Sequence, residues 1–370
     1  MKVERIESIG RFAELREQWN QLKGGEGLSS PAFTHEWFSA WLEAFGAGTE
    51  LTVTVLFDGP RLVGAAPLCL SRRTYRGISC RQLRLLYNRH GPRCTFLLRD
   101  GHEASAGPLL EEALRLPGWD VAVFENVPHG SYLYRAFTGW VGAWELPVLV
   151  RRTMDSPFLK IEGSWDEFFD SRSRSLKRSL RRKESRLTAA GRMTIEHVTD
   201  AARARGLMET LFAVGERSWK ARRGRAIGSG SESKAFYTRL AEEFGSRGEV
   251  SVWLMRIDGK PVAFEFHIVR DGTVQALRAE FDEEHRELGV GSVLDKEIVR
   301  RLFESGFKEY DMGGEADFYK LRWSETTREH SELLVFNSSA KGRLLRAIEQ
   351  GIVEPMKKVT GPFSRGRDVR

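Results

Sequence analysis

The chain has 370 residues, of which 41% are hydrophobic and 29% charged, a balance typical of a globular protein with sizeable buried cores. It is too long for one ordinary domain, and no apolar run in the sequence has membrane-spanning length. Its three cysteines, Cys69, Cys80 and Cys94, lack metal-ligand spacing and leave an odd thiol. We therefore expect packed thiols in a reducing cytoplasm and no metal site.

The net charge of +7 is concentrated in two stretches. Residues 171–187, "SRSRSLKRSLRRKESRL", contain eight Lys and Arg against one Glu. Residues 356–370 contain five Lys and Arg against one Asp, and the remainder of the chain is net acidic. This distribution predicts two local basic surfaces on an otherwise acidic body.

The first patterned segment, "SPAFTHEWFSAWLEAFG", predicts a helix. Thr34 has the position of an N-cap, and Trp37, Trp41 and Phe45 recur on one helical face. His35 follows the cap, where a histidine is expected at the surface or in the cap rather than in catalysis.

Two segments about two hundred residues apart share one pattern. "LTVTVLFDGPRLVGAAPLCL" and "VSVWLMRIDGKPVAFEFHIV" each predict a hairpin, with turns at Asp58-Gly59 and Asp258-Gly259. Each hairpin follows helical segments and precedes further strand, so the chain is predicted to contain two related lobes.

The basic run lies between the lobes. Ser164 and Glu167 have capping-box spacing before it, and Gly191 provides a stop after it. Three leucines share one helical face: Leu176, Leu180 and Leu187. We therefore predict a helix docked by its leucines, with arginines on its remaining faces.

The second lobe continues with helix, Gly/Ser loop, helix, hairpin, a third strand "TVQALRAEFDE", a glycine loop, a helix to Ser305 and the strand "FKEYDMG". It ends with "EADFYKLRWS" and a final strand near "SELLVFNS". This order predicts a mixed α/β (α+β) fold in which mostly antiparallel sheets are flanked by helices.

The glycine loop places Arg286, Gly289 and Gly291 at the start of a helix. Helix N-termini present unpaired N–H groups and the positive end of a dipole, and glycine lets a phosphate approach the main chain closely. Arg286 adds a fork of donors and Ser292 a hydroxyl. The loop is neither a P-loop nor a dinucleotide fingerprint. A plain tight turn is the alternative, but the strand–loop–helix order favours phosphate binding.

Arg286-x-x-Gly289-x-Gly291 resembles the Arg/Gln-x-x-Gly-x-Gly/Ala motif of the GNAT N-acetyltransferases, between the fourth strand and the following helix. Over nearly all of residues 1–340 the chain resembles tandem GNAT-like proteins related to cellulose-biosynthesis-type acetyltransferases, which are similar to the Fem peptidyltransferases. The features that carry this resemblance are the basic helix, "SWK" at 218–220, "DGKPVAF" at 258–264, the glycine loop and "YK" at 319–320.

The resemblance implies a GNAT-like lobe over residues 1–155, a basic interlobe helix over 156–190, a second GNAT lobe over 191–345, and a C-terminal helix with a basic tail over 346–370. The donor would be acetyl-CoA or another acyl-CoA, bound in the second lobe alone because the first lobe lacks the motif and would shape the acceptor cleft. The implied donor-binding residues are Phe281, Arg286, Leu288, Gly289, Val290, Gly291 and Ser292.

Acyl transfer to an amine needs a base, because an amine with a pKa near 10.4 is almost fully protonated at pH 7. Glu265 is the best candidate, since strand alternation places it with His267 on one sheet face, opposite Phe264 and Phe266. The alternative is a structural carboxylate paired with an arginine, such as Arg278 on the neighbouring strand. His267 either shares the catalytic role or faces solvent at the end of the strand.

The family analogy adds further roles beside this base. The main-chain amides around Phe281 would hold the oxyanion, and Tyr319 would protonate the departing thiolate unless it is a packing aromatic. Lys320 would bind an anionic group.

The basic helix has two interpretations, a solvated surface or a site for an anionic acceptor. The second assigns Arg178, Arg181 and Arg182 to a sugar nucleotide, a polyprenyl-phosphate-linked saccharide or, less favoured, tRNA, because stacking aromatics are not evident. DNA is not expected, and the basic tail could contact a membrane surface.

The preferred hypothesis is a GNAT-type (EC 2.3.1-like) acyl-CoA-dependent N-acyltransferase acting on an amino group of a small or cell-envelope polysaccharide precursor. The alternatives are a Fem-like aminoacyl-tRNA-dependent transferase, which usually has a coiled-coil arm that no sustained heptad predicts here, and a non-catalytic GNAT-fold adaptor.

Overall fold

A computed structural model describes residues 1–26, 28–140 and 146–353, so the predicted basic tail lies outside the described residues. The α-helices are α1 Ile9–Ala13, α2 Arg16–Trp19, α3 His35–Phe45, α4 Ala106–Leu114, α5 Tyr132–Trp140, α6 Trp165–Ser171, α7 Arg174–Ala190, α8 Ala201–Glu216, α9 Ser231–Gly245, α10 Val290–Glu304, α11 Phe318–Leu321 and α12 Ala340–Ile348. Short 3-10 turns cover Pro31–Phe33, Glu103–Ser105, Ala221–Arg223 and Glu283–Leu288, and a π-helical turn covers Glu349–Val353.

The strands are β1 Lys2–Ile6, β2 Thr49–Leu51, β3 Val53–Asp58, β4 Arg61–Ala66, β5 Leu68–Tyr75, β6 Ile78–Leu85, β7 Leu97–Leu98, β8 Val121–Pro128, β9 Val148–Lys160, β10 Met193–Val198, β11 Val250–Ile257, β12 Lys260–Arg270, β13 Thr273–Phe281, β14 Glu309–Asp311 and β15 Thr327–Phe336. The predicted mixed α/β fold is confirmed. None of the described helices has both the length and the apolarity needed to cross a membrane.

Local capping chemistry sets several helix boundaries. The Thr34 hydroxyl accepts a hydrogen bond from the Trp37 amide at 3.3 Å, and the Ser164–Glu167 capping box is complete. The expectation for His35 was wrong: its ring is buried, and Nε2 lies 2.9 Å from the carbonyl oxygen of Phe12. His35 therefore belongs to the core of the first lobe.

The two predicted hairpins form, with one difference in the turns. The β11–β12 pair turns at Asp258-Gly259 as predicted, whereas the β3–β4 pair turns one residue later, at Gly59-Pro60, because Asp58 still pairs with Arg61. Both carry an irregularity in register shortly before the turn, between Leu56 and Phe57 and between Met255 and Arg256. A shared bulge at the same place in both hairpins supports the internal repeat.

One eleven-stranded sheet runs through both lobes in the order β10-β11-β12-β13-β14-β9-β15-β8-β6-β5-β2, and a four-stranded sheet has the order β1-β3-β4-β7. Strand β15, near the end of the described chain, lies between β9 and β8 of the first lobe. The lobes therefore share their hydrogen-bonded framework.

The sheet opens beside β13. Strand β13 pairs in parallel with β14 only from Thr273 to Gln275, and β14 ends at Asp311 while β13 continues to Phe281. Among the described residues, positions 276–281 have a strand partner only on the β12 side. The sheet therefore contains a gap that is bounded by the unpaired edge of β13. The candidate site lies beside this gap.

Candidate functional site

The glycine loop forms the N-terminus of α10. Gly289 is the N-cap with φ +73°, and the amides of Ser292 and Val293 donate to its carbonyl oxygen at 3.0 and 3.2 Å. The amides of Val290 and Gly291 donate to no other group in the described part of the chain. The first turn has neither a side-chain cap nor an acidic residue. These two amides are free to bind an anion.

Helix α7 packs directly on this loop. The aliphatic chain of Lys183 crosses Gly289, where an added Cβ would lie 2.5 Å from Lys183 Cδ, and Nζ lies 2.6 Å from the Ser292 hydroxyl oxygen. Burial and the charges of Arg322 and Arg182 lower the pKa of Lys183. Lys183 thus places a cation beside the positive end of α10.

The leucine stripe of α7 is buried as predicted, at Leu176, Leu180 and Leu187. Arg178, Arg181 and Arg182 are exposed and form no ion pair with a described residue. The predicted donor ligand Arg286 pairs instead with Glu283 at 2.8 Å, and its guanidinium carbon lies 6.0 Å from the centre of the Phe281 ring. A cation that contacts the glycine loop, Lys183, therefore comes from α7, the helix that the sequence analysis assigned to the acceptor.

Glu265 is buried in the sheet, with a 5% exposed fraction. Its Oε2 lies 2.8 Å from His267 Nε2 and accepts a hydrogen bond from the Tyr310 hydroxyl at 3.2 Å. The alternative partner Arg278 was wrong, because its guanidinium binds the Tyr237 hydroxyl and His90 Nδ1 on the opposite face. His267 is fully buried, so it does not face solvent, and its Nδ1 has no described partner.

Tyr319 and Lys320 lie on α11, beyond the end of β14. Tyr319 is 49% exposed, and burial of its hydroxyl together with the charges of Asp295 and Asp317 raises its pKa. Lys320 is buried and donates to the carbonyl oxygens of Gly313 and Glu315 at 2.5 and 3.1 Å. Lys320 is therefore already held by main-chain oxygens.

Asp295 on α10 is a residue that sequence reasoning missed. Its carboxylate accepts a hydrogen bond from the Trp323 indole N–H. Burial and the charge of Glu265 raise the pKa of Asp295 well above its ordinary value. The sequence offered one signal for it: Asp295 is an acid that lies between Leu294 and Ile298 on the face of α10 that is buried.

Two more residues, to which the sequence analysis gave no role, lie on or against β13. Lys220 donates to the carbonyl oxygen of Ala279 at 2.8 Å, on the strand that borders the gap. Glu280 is buried and accepts from the Ile227 amide at 3.0 Å, and burial raises its pKa. The alternation argument that singled out Glu265 could equally have found Glu280.

Residues 174–321 match the family model described as an acetyltransferase (GNAT) domain. That range starts at the first residue of α7 and includes the hairpin, the glycine loop, α10 and α11. No curated protein matches the chain significantly.

Similar solved structures extend over nearly the whole chain. FemX has a TM-score of 0.57 at 10% identity, covering 95% of this chain and 100% of that chain. The C-terminal domain of a putative lysylphosphatidylglycerol synthetase from Agrobacterium fabrum has a TM-score of 0.56 at 13% identity, covering 92% and 98%. L-PGS from Bacillus licheniformis has a TM-score of 0.55 at 10% identity, covering 95% and 98%.

At these identities the likeness is one of fold, and the predicted relation to cellulose-biosynthesis-type acetyltransferases stays a prediction. Residues 174–321 thus match the GNAT acetyltransferase domain model, within a fold that is similar to those of FemX and L-PGS along most of the chain.

Proposed function

We propose that the chain is an acyl-CoA-dependent N-acyltransferase that transfers an acyl group, most simply acetyl, to an amino group of a small or cell-envelope polysaccharide precursor. The observation that carries this proposal is the pair of free amides at Val290 and Gly291, next to the unpaired edge of β13.

The charges around these amides favour a diphosphate. A helix N-terminus is stabilised by anions, yet the side chain beside this one is Lys183, whose Nζ lies 2.6 Å from the Ser292 hydroxyl oxygen. Arg322 and Arg182 are close enough to Lys183 to lower its pKa. A donor diphosphate at the free amides would compensate this positive charge.

The strand edge suggests how the rest of the donor binds. Residues 276–279 of β13 are half-buried, and their main-chain groups on the gap side have no strand partner among the described residues. The amides of a pantetheine arm can pair with such an edge as an added strand does. The thioester would then lie near the inner end of the gap.

The reaction is attack of a neutral amine nitrogen on the thioester carbonyl carbon. Glu265 takes the amine proton, directly or through a water, and His267 orients the Glu265 carboxylate through the 2.8 Å contact. The carbonyl oxygen gains negative charge, which the main-chain amide of Phe281 holds. The C–S bond then breaks, and Tyr319 supplies a proton to the thiolate.

The test uses two substitutions at one glycine. Gly291→Asp places an acid in the first turn of α10, which favours the helix by about 0.5 kcal/mol but repels a diphosphate. Gly291→Ala adds the same Cβ, 3.3 Å from Phe281 Cδ1, without charge. Acetyl-CoA should raise the melting temperature of the wild type and the alanine variant but not that of the aspartate variant.

Calorimetric titration with acetyl-CoA measures the same difference directly. Absence of binding to the wild type by acetyl-CoA and by longer acyl-CoA thioesters would contradict the proposal.

One expectation from the sequence was wrong, and its correction favours a second candidate function, an aminoacyl-tRNA-dependent transferase. Stacking aromatics were not expected, yet Trp219, Phe318 and Tyr319 are exposed, and the guanidinium of Arg322 lies 5.8 Å from the centre of the Phe318 ring. Steeply salt-dependent tRNA binding that is lost when Arg178, Arg181 and Arg182 are neutralised would support this candidate.

A further inference from the structure

The gap between β13 and β14 has a closed end formed by both lobes. Gln275 and Asp311 are the last paired residues of the two strands. Beyond them Gly313 approaches β13 so closely that an added Cβ would lie 2.8 Å from the carbonyl oxygen of Ala276. From the first lobe, Arg93 reaches this point and binds Asp311 at 2.5 Å.

Several donors at this closed end have no acceptor. Arg93 is 1% exposed, and only its Nη2 is bound, while Nε and Nη1 have no partner among the described residues. Gln275 is fully buried, and its amide nitrogen is likewise without a partner. Buried donors without acceptors are costly, and a protein rarely retains them without a role.

The acids nearby cannot satisfy these donors. Asp311 already accepts from Arg93, from Arg328 at 3.1 Å and from the Gly313 amide at 3.0 Å. Glu309 is bound to Arg328 at 2.6 Å. Burial and, after it, the charge of Arg93 lower the pKa of His330 to about 3, so this imidazole brings no charge of its own. The missing partner is therefore an oxygen acceptor that the described residues do not supply.

We propose that the closed end of the gap is a subsite for a carboxylate of the amine acceptor, held by Arg93 and Gln275. The inference rests on the proposed function, because it names the acceptor class of that site: amines that also carry a carboxylate. Arginine suits this role because its planar donors match carboxylate geometry.

The arrangement also gives the first lobe a role in acceptor recognition. Arg93 belongs to a first-lobe segment that touches the second lobe at three places, through Arg89 to the Gly224 carbonyl, His90 to Arg278, and Arg93 to Asp311. The half-buried residues 276–279 of β13 lead outward from the subsite. An acceptor anchored by its carboxylate would place its amine within the gap.

The test compares amines that differ by a carboxylate, with release of the CoA thiol as the readout. The pairs are muramic acid with glucosamine and L-lysine with cadaverine. The wild type should show about a tenfold higher kcat/KM for the carboxylate-bearing member of a pair, the value of one well-made charged contact.

Gln275→Met removes the free amide donor of this side chain and, with it, the Oε1 acceptor of a 3.4 Å hydrogen bond from the Ser30 hydroxyl, while Arg93 stays in place. It should lower this ratio severalfold, because Arg93 alone then binds the carboxylate, while the kcat/KM of the neutral amine and the acetyl-CoA Kd stay within about twofold of wild type. Gln82→Met is the matched control, since Gln82 is equally buried on β6 and away from the gap, and it should preserve the ratio. Absence of a carboxylate preference in the wild type, or an undiminished preference in Gln275→Met, overturns the proposal.

An equilibrium measurement separates this proposal from the acyltransferase proposal. Muramic acid or L-lysine should raise the melting temperature of the wild type more than that of Gln275→Met, whether or not acetyl-CoA binds. Failure of acetyl-CoA to bind would reject the donor assignment alone. Absence of any shift with both carboxylate amines, in protein that binds acetyl-CoA, would reject the subsite alone.

Discussion

Lys183 occupies a position where a helix is usually stabilised by an acid. Its ammonium group lies beside the first turn of α10 and contacts a hydroxyl rather than a carboxylate. Burial together with Arg322 and Arg182 lowers its pKa, which means that the folded chain holds this proton less tightly than the unfolded chain does. The charge on Lys183 therefore reduces stability at neutral pH, and stability is regained as pH rises through the lowered pKa. Such a charge is expected where it serves a ligand.

Lys183→Met tests this interpretation at the scale of one side chain. Methionine keeps an unbranched chain over Gly289 but removes the charge, so we expect an unchanged or higher melting temperature. The affinity for acetyl-CoA should fall about tenfold and depend less on salt, because one phosphate contact is lost. Calorimetric titration at two salt concentrations measures both effects.

Lys177→Met on the same helix is the control, since Lys177 faces Asp170 rather than the glycine loop. Equal acetyl-CoA affinities in wild type and Lys183→Met would remove Lys183 from the donor site.

At the scale of elements, the sequence predicted what short-range chemistry determines. The capping box at Ser164 and the Asp258-Gly259 turn involve residues within a few positions of one another, so their structures follow from local geometry. The leucine stripe of α7 was predictable because periodicity defines a face.

The neighbour of each face was not predictable, because strand order and helix docking depend on contacts between distant segments. The sequence gives no local sign that β15 enters the sheet between β9 and β8, or that Lys183 meets Ser292 across 109 positions. For the same reason Glu265 was found from its strand alone, whereas its partner Tyr310 was not. The site was therefore predictable as single residues and not as an arrangement.

Helix α7 should be held to the second lobe mainly by its leucines. Leu180 is 2% exposed and packs in the cluster shared with α10, so Leu180→Ala should lower the free energy of unfolding by about 3 kcal/mol. Arg181→Ala changes the exposed face of the same turn and should alter it by less than about 0.5 kcal/mol. Urea unfolding of both variants gives the comparison, and similar losses for the two would mean that the arginine face is also packed.

At the scale of the whole molecule, the two lobes are joined by more than a linker. They share the eleven-stranded sheet and one large apolar cluster, in which Trp37 of α3 packs edge-on against Phe236 of α9 with ring centres 5.2 Å apart. Buried polar contacts cross the same boundary, with Glu36 bound to Arg16 at 2.8 Å and to Arg247 of the second lobe at 2.9 Å. Lobes joined in this way should unfold as one unit.

Glu36 provides a test of that coupling, because its contribution to the free energy of unfolding should depend on pH. Burial would raise the pKa of Glu36, but hydrogen bonds from its own backbone amide, Arg16 and Arg247 lower it to about 2, from an ordinary value of 4.5. A lowered carboxyl pKa stabilises the fold above the unfolded value, and the contribution is lost as pH falls towards the folded one. Glu36→Gln should therefore cost about 3 kcal/mol at pH 7 by leaving two arginines without their charge partner. That difference from wild type should shrink as the pH falls from about 4.5 towards 2, while both proteins unfold in a single transition.

Glu43→Gln, at an exposed acid that pairs with Arg239 across the same boundary, should change stability by less than about 0.5 kcal/mol at any pH. Two separate transitions in wild-type urea unfolding, or a Glu36→Gln difference that does not vary with pH, would show that the lobes are stabilised independently of this contact.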